Sequence, residues 1–272
     1  MPLPLLRDVL VTRPEAEALD WVARLRSAGW PARALPLIEI APPADPAVQA
    51  ALAVARAQAP SFDVLMFVSS AAVEHFFAGL APVAWRSVTR FWAPGPGTAR
   101  RLAQALHAHG VGADRIDAPP EDAAQFDSEA LWRLVHPQVV PGRRVLLVRG
   151  GGRRDTAAGS GREWLMQRCR AAGADVSTCM AYERRAPAWT AERLDLARRG
   201  AAAGSLWLFS SAEALDNLAR MPDAPDWGRA AALATHPRIA QRACAAGFGT
   251  VDQARPTLPA ILAALESSWS HP

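Results

Sequence analysis

Two similar α/β halves, each built on a parallel sheet, are what this sequence predicts. Short apolar runs alternate with longer segments of helical period. One series of three strand–turn–helix cassettes also occurs twice along the 272 residues.

The first cassette opens with Asp8-Val-Leu-Val-Thr12 as a strand. Pro14 suits a first helical turn, Ala18, Leu19, Val22, Leu25 and Arg26 set a stripe along one face, and Gly29 stops the helix. An extended segment, Arg33–Ile40, follows and ends before Pro42-Pro43. The same unit recurs as the strand Arg144–Arg149, a Gly-rich loop, a helix around Trp164–Ala171, Gly173 and the extended Val176–Arg185. The second cassette is Val64–Ser70 opening a helix at Ala71, and its counterpart is Leu206–Ser211. The third runs from Phe91 through Gly95-Pro-Gly-Thr98 to a helix ending at Gly110. Ala230–Thr235, His236-Pro237 and a helix ending at Gly247 repeat it.

Composition narrows the chemistry. All 30 basic residues are Arg, against 26 acidic ones. Without lysine there is no Schiff base, no pyridoxal-phosphate anchor and no P-loop lysine. A net charge of +4 and a pI near 9.7 suit an acidic ligand. Nucleic acid is not expected, because the chain has a single Tyr and no dense basic run with interleaved aromatics. No apolar run is long enough to span a membrane and no signal-peptide pattern opens the chain, so a cytoplasmic protein is expected. Cys169, Cys179 and Cys244 fit a reducing compartment and have neither disulfide nor metal spacing. Trp269-Ser-His-Pro272 resembles the start of an affinity tag and is set aside.

Small or polar residues gather at the strand-to-helix turns: Thr12, Ser69-Ser70, Gly95–Thr98, Gly150–Gly152, Ser210-Ser211 and Thr235. In parallel α/β sheets ligands collect at the carboxyl ends of strands, where helix N-terminal amides bind anions. Any one of these Ser or Thr residues is also an ordinary N-cap. Their recurrence in both halves carries the binding interpretation. Arg149 and Arg162, in a loop rich in Gly and Arg, are candidates to clamp carboxylates in bidentate fashion. Gly95-Pro-Gly-Thr-Ala-Arg100 lacks the third glycine of a dinucleotide fingerprint. His107 and His109 lie on different helix faces, and His75 and His136 read as surface or packing residues. Tyr182, the only tyrosine, ends an extended apolar run just before Glu183-Arg-Arg185.

These motifs together resemble the uroporphyrinogen-III synthase family. The resemblance is carried by Val9-Leu-Val-Thr-Arg-Pro14, Leu35-Pro-Leu-Ile-Glu-Ile40, Phe67-Val-Ser-Ser-Ala-Ala-Val73 and Val145-Leu-Leu-Val-Arg-Gly150. Gly161-Arg-Glu-Trp-Leu165, Ala181-Tyr-Glu-Arg-Arg185, Phe209-Ser-Ser211 and Arg238-Ile-Ala-Gln241 with Gly247-Phe248 complete it, in order and over nearly the whole chain. Two departures stand out. Gly151–Ser160 lengthens a loop that is short in the family, and Arg238-Ile239 stands where some members carry a Thr pair, leaving Thr235 as a nearby substitute.

The resemblance implies two similar parallel-sheet domains joined by paired extended linker strands, 35–41 and 176–185. One domain is then discontinuous (1–34 with 186–272) and the other spans 35–185. It further implies a monomer without cofactor or metal that acts on hydroxymethylbilane, a linear tetrapyrrole with eight carboxylates. Loss of the terminal hydroxyl gives an azafulvenium cation. Attack at the substituted carbon of ring D then gives a spiro intermediate that recloses with ring D inverted, whereas unassisted closure gives the type I isomer. Tyr182 would be the acid, facing an interdomain cleft. Thr12, Arg13, Ser69, Ser70, Gly97, Thr98, Arg149, Gly150, Arg162, Ser210, Ser211 and Thr235 would hold the substrate. From the residues alone, a two-lobed α/β small-molecule binding protein without catalysis stays open as well. A nucleotide-dependent enzyme is disfavoured by the missing phosphate loop.

Overall fold

Val64-Leu-Met-Phe67 and Ser205-Leu-Trp-Leu-Phe209 show why strands form where they do: every residue of either run is buried. Runs buried on both faces belong inside a parallel sheet covered by helices. A computed structural model of the chain describes residues 5–120, 128–152 and 160–270, with the backbone alone at 160–162. The Gly and Arg residues of 153–159 and the side chain of Arg162 lie outside the described residues, as do His271 and Pro272.

In chain order the elements begin β1 (Asp8–Val11), α1 (Glu15–Ser27), β2 (Ala32–Ala34), β3 (Glu39–Ala41), α2 (Pro46–Ala57), β4 (Val64–Phe67) and α3 (Ser70–Phe77). They continue with β5 (Arg90–Trp92), α4 (Pro96–His107), β6 (Ile116–Asp117), α5 (Ser128–Val135), β7 (Arg144–Gly152), α6 (Ser160–Ala171) and β8 (Asp175–Arg185). The last are α7 (Ala191–Arg199), β9 (Ser205–Phe209), α8 (Ala212–Leu218), β10 (Ala231–Ala234), α9 (Pro237–Ala245), β11 (Thr250–Gln253) and α10 (Leu258–Ser268). The chain divides into two compact units, Met1–Glu39 with Arg185–Pro272, and Ile40–Arg184.

The first unit holds a five-stranded sheet in the order β2-β1-β9-β10-β11, parallel throughout. In the second, six strands run β3-β8-β7-β4-β5-β6. Setting β7 against β1, β8 against β2, β4 against β9, β5 against β10 and β6 against β11 superposes the two orders. Both are the flavodoxin-like arrangement 2-1-3-4-5. The cassettes found in the sequence thus occupy equivalent positions, although the chain enters the second sheet at a different strand. Among the described strands β3 alone lacks a counterpart, and it lies beside β8.

Packing explains the alternation. Leu206 and Leu208 join Val9, Val11, Trp21, Val22, Leu25 and Ile261 on one face of the first sheet. Trp207 and Phe209 point to the other face, where they meet Trp227 and Phe248 in edge and stacked contacts of 5.0–6.0 Å. The Trp207 indole donates to the Gly200 carbonyl at 2.8 Å, so its one polar group is satisfied inside the core. Leu19, expected in the apolar stripe of α1, is 56% exposed. Trp21 takes its place, because the buried set Ala18, Trp21, Val22, Leu25 follows the i, i+3, i+4, i+7 rule more closely.

Three further expectations change. Gly150–Gly152, read as a loop, continue β7 and pair with Tyr182, Glu183 and Arg184 of β8. Of the tag-like C-terminus, Trp269 packs on the first unit's core and Ser270 bridges Leu5. Leu35 and Leu37, placed at the start of a linker, are buried against the first unit, where their amides bond to the Val11 and Thr12 carbonyls. The Asn217 side-chain amide, 3% exposed, also donates to the Leu37 carbonyl at 2.8 Å. Asn217→Ala leaves that buried acceptor unpaired and is expected to cost ~1–3 kcal/mol in urea unfolding. An unchanged midpoint and slope would show that the Leu37 carbonyl finds another donor.

Candidate active site

Each sheet has a switch point where connections leave in opposite directions, and in open α/β sheets ligands bind at its carboxyl edge. In the second unit it lies between β7 and β4, and there three of the residues singled out from sequence come together. Ser69 follows β4 and caps α3, its hydroxyl accepting from the Ala72 amide at 3.2 Å. Tyr182 approaches from β8, and its hydroxyl lies 3.0 Å from the Ser69 Oγ. Gly150 of β7 lies beneath the phenol: a Cβ there would stand 2.3 Å from Cζ and 2.8 Å from the hydroxyl oxygen. Only a residue without a side chain lets the ring lie so close to the strand.

A bulge aims Tyr182. The β7–β8 register steps from Arg149↔Met180 to Gly150↔Tyr182, so Ala181 is an extra residue on β8. Such a bulge turns the residues beyond it to new faces. Ala181 and Tyr182 are accordingly both buried, although they are neighbours on one strand. Tyr182 itself is 5% exposed.

His75, read from the sequence as a surface or packing residue, completes the cluster. His75 of α3 sets its ring 5.8 Å from the Tyr182 ring, tilted by 36°. Burial pushes the imidazole pKa down, with Glu74 opposing and Arg56 adding to the fall. His75 stands one turn beyond Ala71 in α3, and its ring partner lies on a distant strand. Arg56 of α2 closes the far end of the same helix, donating to the Phe76 carbonyl at 2.9 Å and to that of His75. Lysine-free composition thus places a guanidinium fork where two carbonyls need capping.

The remaining expected residues of the second unit lie on their own turns. Ser70 is the first residue of α3 and is half-buried. Gly97 and Thr98 stand in the first turn of α4. A Cβ on Gly97 would touch nothing within 4 Å, and Thr98 is buried. Arg149 is partly buried on β7, with its guanidinium 3.4 Å from the Gly150 carbonyl.

In the first unit the switch point lies between β1 and β9. Thr12 turns its hydroxyl inward and donates to the Leu208 carbonyl at 2.8 Å, fastening the two strands together. Arg13 lies 4.6 Å over the Trp21 ring and 3.2 Å from Glu17. Ser210 is half-buried, and Ser211 caps α8 by accepting from the Glu213 amide. Thr235 follows β10 and, with His236, Gln253 and Arg255, lines a cavity of about 320 Å³.

Residues 20–263 match the family model described as uroporphyrinogen-III synthase HemD. The chain belongs to the uroporphyrinogen-III synthase family. It is therefore a lyase of tetrapyrrole biosynthesis. Among curated relatives it is 31% identical to the uroporphyrinogen-III synthase of Synechococcus elongatus over 221 residues, 79% of this chain and 74% of that one. The Salmonella typhimurium synthase is 32% identical over 179 residues, 65% of each chain. The solved uroporphyrinogen-III synthetase of Helicobacter pylori shares the fold at 15% identity and a TM-score of 0.55, over 96% of this chain and 99% of that one. No described helix is long and apolar enough to cross a membrane.

Proposed function

We propose that this chain closes hydroxymethylbilane to uroporphyrinogen III, with loss of water and inversion of ring D, and that Tyr182 is the acid. One observation carries the residue assignment. The phenol is fixed at the carboxyl edge of the β7–β4 switch point by a hydroxyl 3.0 Å away and a glycine beneath its ring. A phenol has a proton to give, whereas an ordinary carboxylic acid would be ionised at neutral pH and would repel a polyanion. The reaction asks for acid assistance to a departing hydroxyl and for a surface that holds the chain in one folded conformation.

The substrate's carboxylates suit the amides at the starts of α3, α4 and α8, together with Arg149 and Arg162. In this reading Ser70, Gly97, Thr98, Gly150, Ser210, Ser211 and Thr235 lend backbone or hydroxyl groups. Thr12 and Arg13 act through the shape of the β1 turn, since their side chains already have partners. The protein works as a monomer in the cytoplasm, without nucleic acid.

Supplying fresh hydroxymethylbilane and separating the type I and type III products tests the activity. Type III product formed well above the uncatalysed closure rate is expected. Type I product alone, at the uncatalysed rate, would leave the family's fold serving binding without catalysis.

A further inference from the structure

We infer that Ser69 is a positioning residue for the acid: its hydroxyl donates to the Tyr182 oxygen, which frees the phenolic proton for the departing hydroxyl and then holds the phenolate. The inference rests on the reading of Tyr182 as the acid, and it moves Ser69 from holding substrate to serving another side chain.

A serine hydroxyl has one hydrogen and two lone pairs. The Ser69 oxygen already accepts from the Ala72 amide at 3.2 Å, and its other contact is the Tyr182 hydroxyl at 3.0 Å. Were the phenol the donor, its proton would be spent on Ser69. Once that proton has gone to the substrate, the phenolic oxygen can only accept, so Ser69 has to be the donor when charge develops. Two features of the site favour that direction. Accepting from Ala72 polarises the serine O–H, and the start of α3 favours negative charge nearby. His75 contributes packing against the ring, and its burial disfavours the imidazolium form.

The step balances. The phenolic O–H breaks and its proton joins the departing hydroxyl. The carbon–oxygen bond breaks with both electrons on oxygen, and water leaves. The azafulvenium cation remains opposite a phenolate held by Ser69. The proton released when the ring recloses at ring D restores the phenol.

Ser69 also caps α3, so removing it disturbs the fold as well as the acid. Ser69→Gly is the cleaner deletion, because glycine is nearly as good a cap as serine, whereas alanine is not. A hydrogen bond to a charged oxygen predicts a kcat about 5- to 20-fold lower for Ser69→Gly, with KM nearly unchanged. Ser69→Thr keeps the hydroxyl and is expected to restore most of it. The deciding measurement is the double variant with Tyr182→Phe, where removing Ser69 should change kcat less than about 2-fold. If Tyr182→Phe is slow and Ser69→Gly costs the same factor in both backgrounds, the inference fails alone. A Tyr182→Phe enzyme with normal turnover would remove the acid, and the inference with it. A Ser69→Gly enzyme with wild-type kcat would also overturn it.

Discussion

Tyr182→Phe is expected to lower kcat about 10- to 100-fold and to raise the proportion of type I product. The ring packing survives this change, because only the oxygen facing Ser69 is lost. The factor lies toward the lower part of the range for general acids, since the hydroxyl of hydroxymethylbilane also departs unaided. Unaided departure is also the source of the leak: cation formed away from the site closes to the type I isomer. KM should change little, because the groups assigned to the substrate's carboxylates are amides and guanidinium groups on other turns. Single-turnover kinetics with separation of the isomers reads both effects. Near wild-type turnover with clean type III product would reduce Tyr182 to a packing residue.

The fold was legible because its punctuation is local. Gly29, Gly110, Gly173 and Gly247, each read as a helix stop, all have φ between 70° and 94°. That left-handed region costs glycine little and other residues more. Strand runs such as Leu206–Phe209 carry their own evidence, since a run apolar at every position has to be covered on both faces. What escaped depends on partners far along the chain. Nothing near Gly150 says that its strand continues, because the reason is the Tyr182 ring lying over it. Nothing near Thr12 names Leu208, 196 residues away, as the acceptor of its hydroxyl. The bulge at Ala181 is a property of two strands and is invisible in either. Thus Ser69, Gly150 and Tyr182 were each readable as candidates, whereas the way the three touch was not.

Gly150→Ala is expected to be the most damaging small substitution in the second unit. A methyl group at Gly150 would meet the phenol at 2.3–2.8 Å, well inside van der Waals contact. Tyr182 cannot yield cheaply, because its ring is rigid, lies against His75 and is hydrogen-bonded to Ser69. The hydroxyl must then move by on the order of 1 Å, a displacement that costs roughly 100-fold in a positioned catalytic group. Overpacking should also lower stability by ~1–3 kcal/mol. A neighbouring glycine calibrates the effect. Gly151→Ala meets the end of Met180, a flexible side chain that can swing aside. That variant should keep most of its turnover. The decisive variant is Gly150→Ala combined with Tyr182→Phe. If displacement of the phenolic oxygen is the whole injury, the pair is little slower than Gly150→Ala alone, whereas a second full loss on top of the first would place the damage of Gly150→Ala elsewhere.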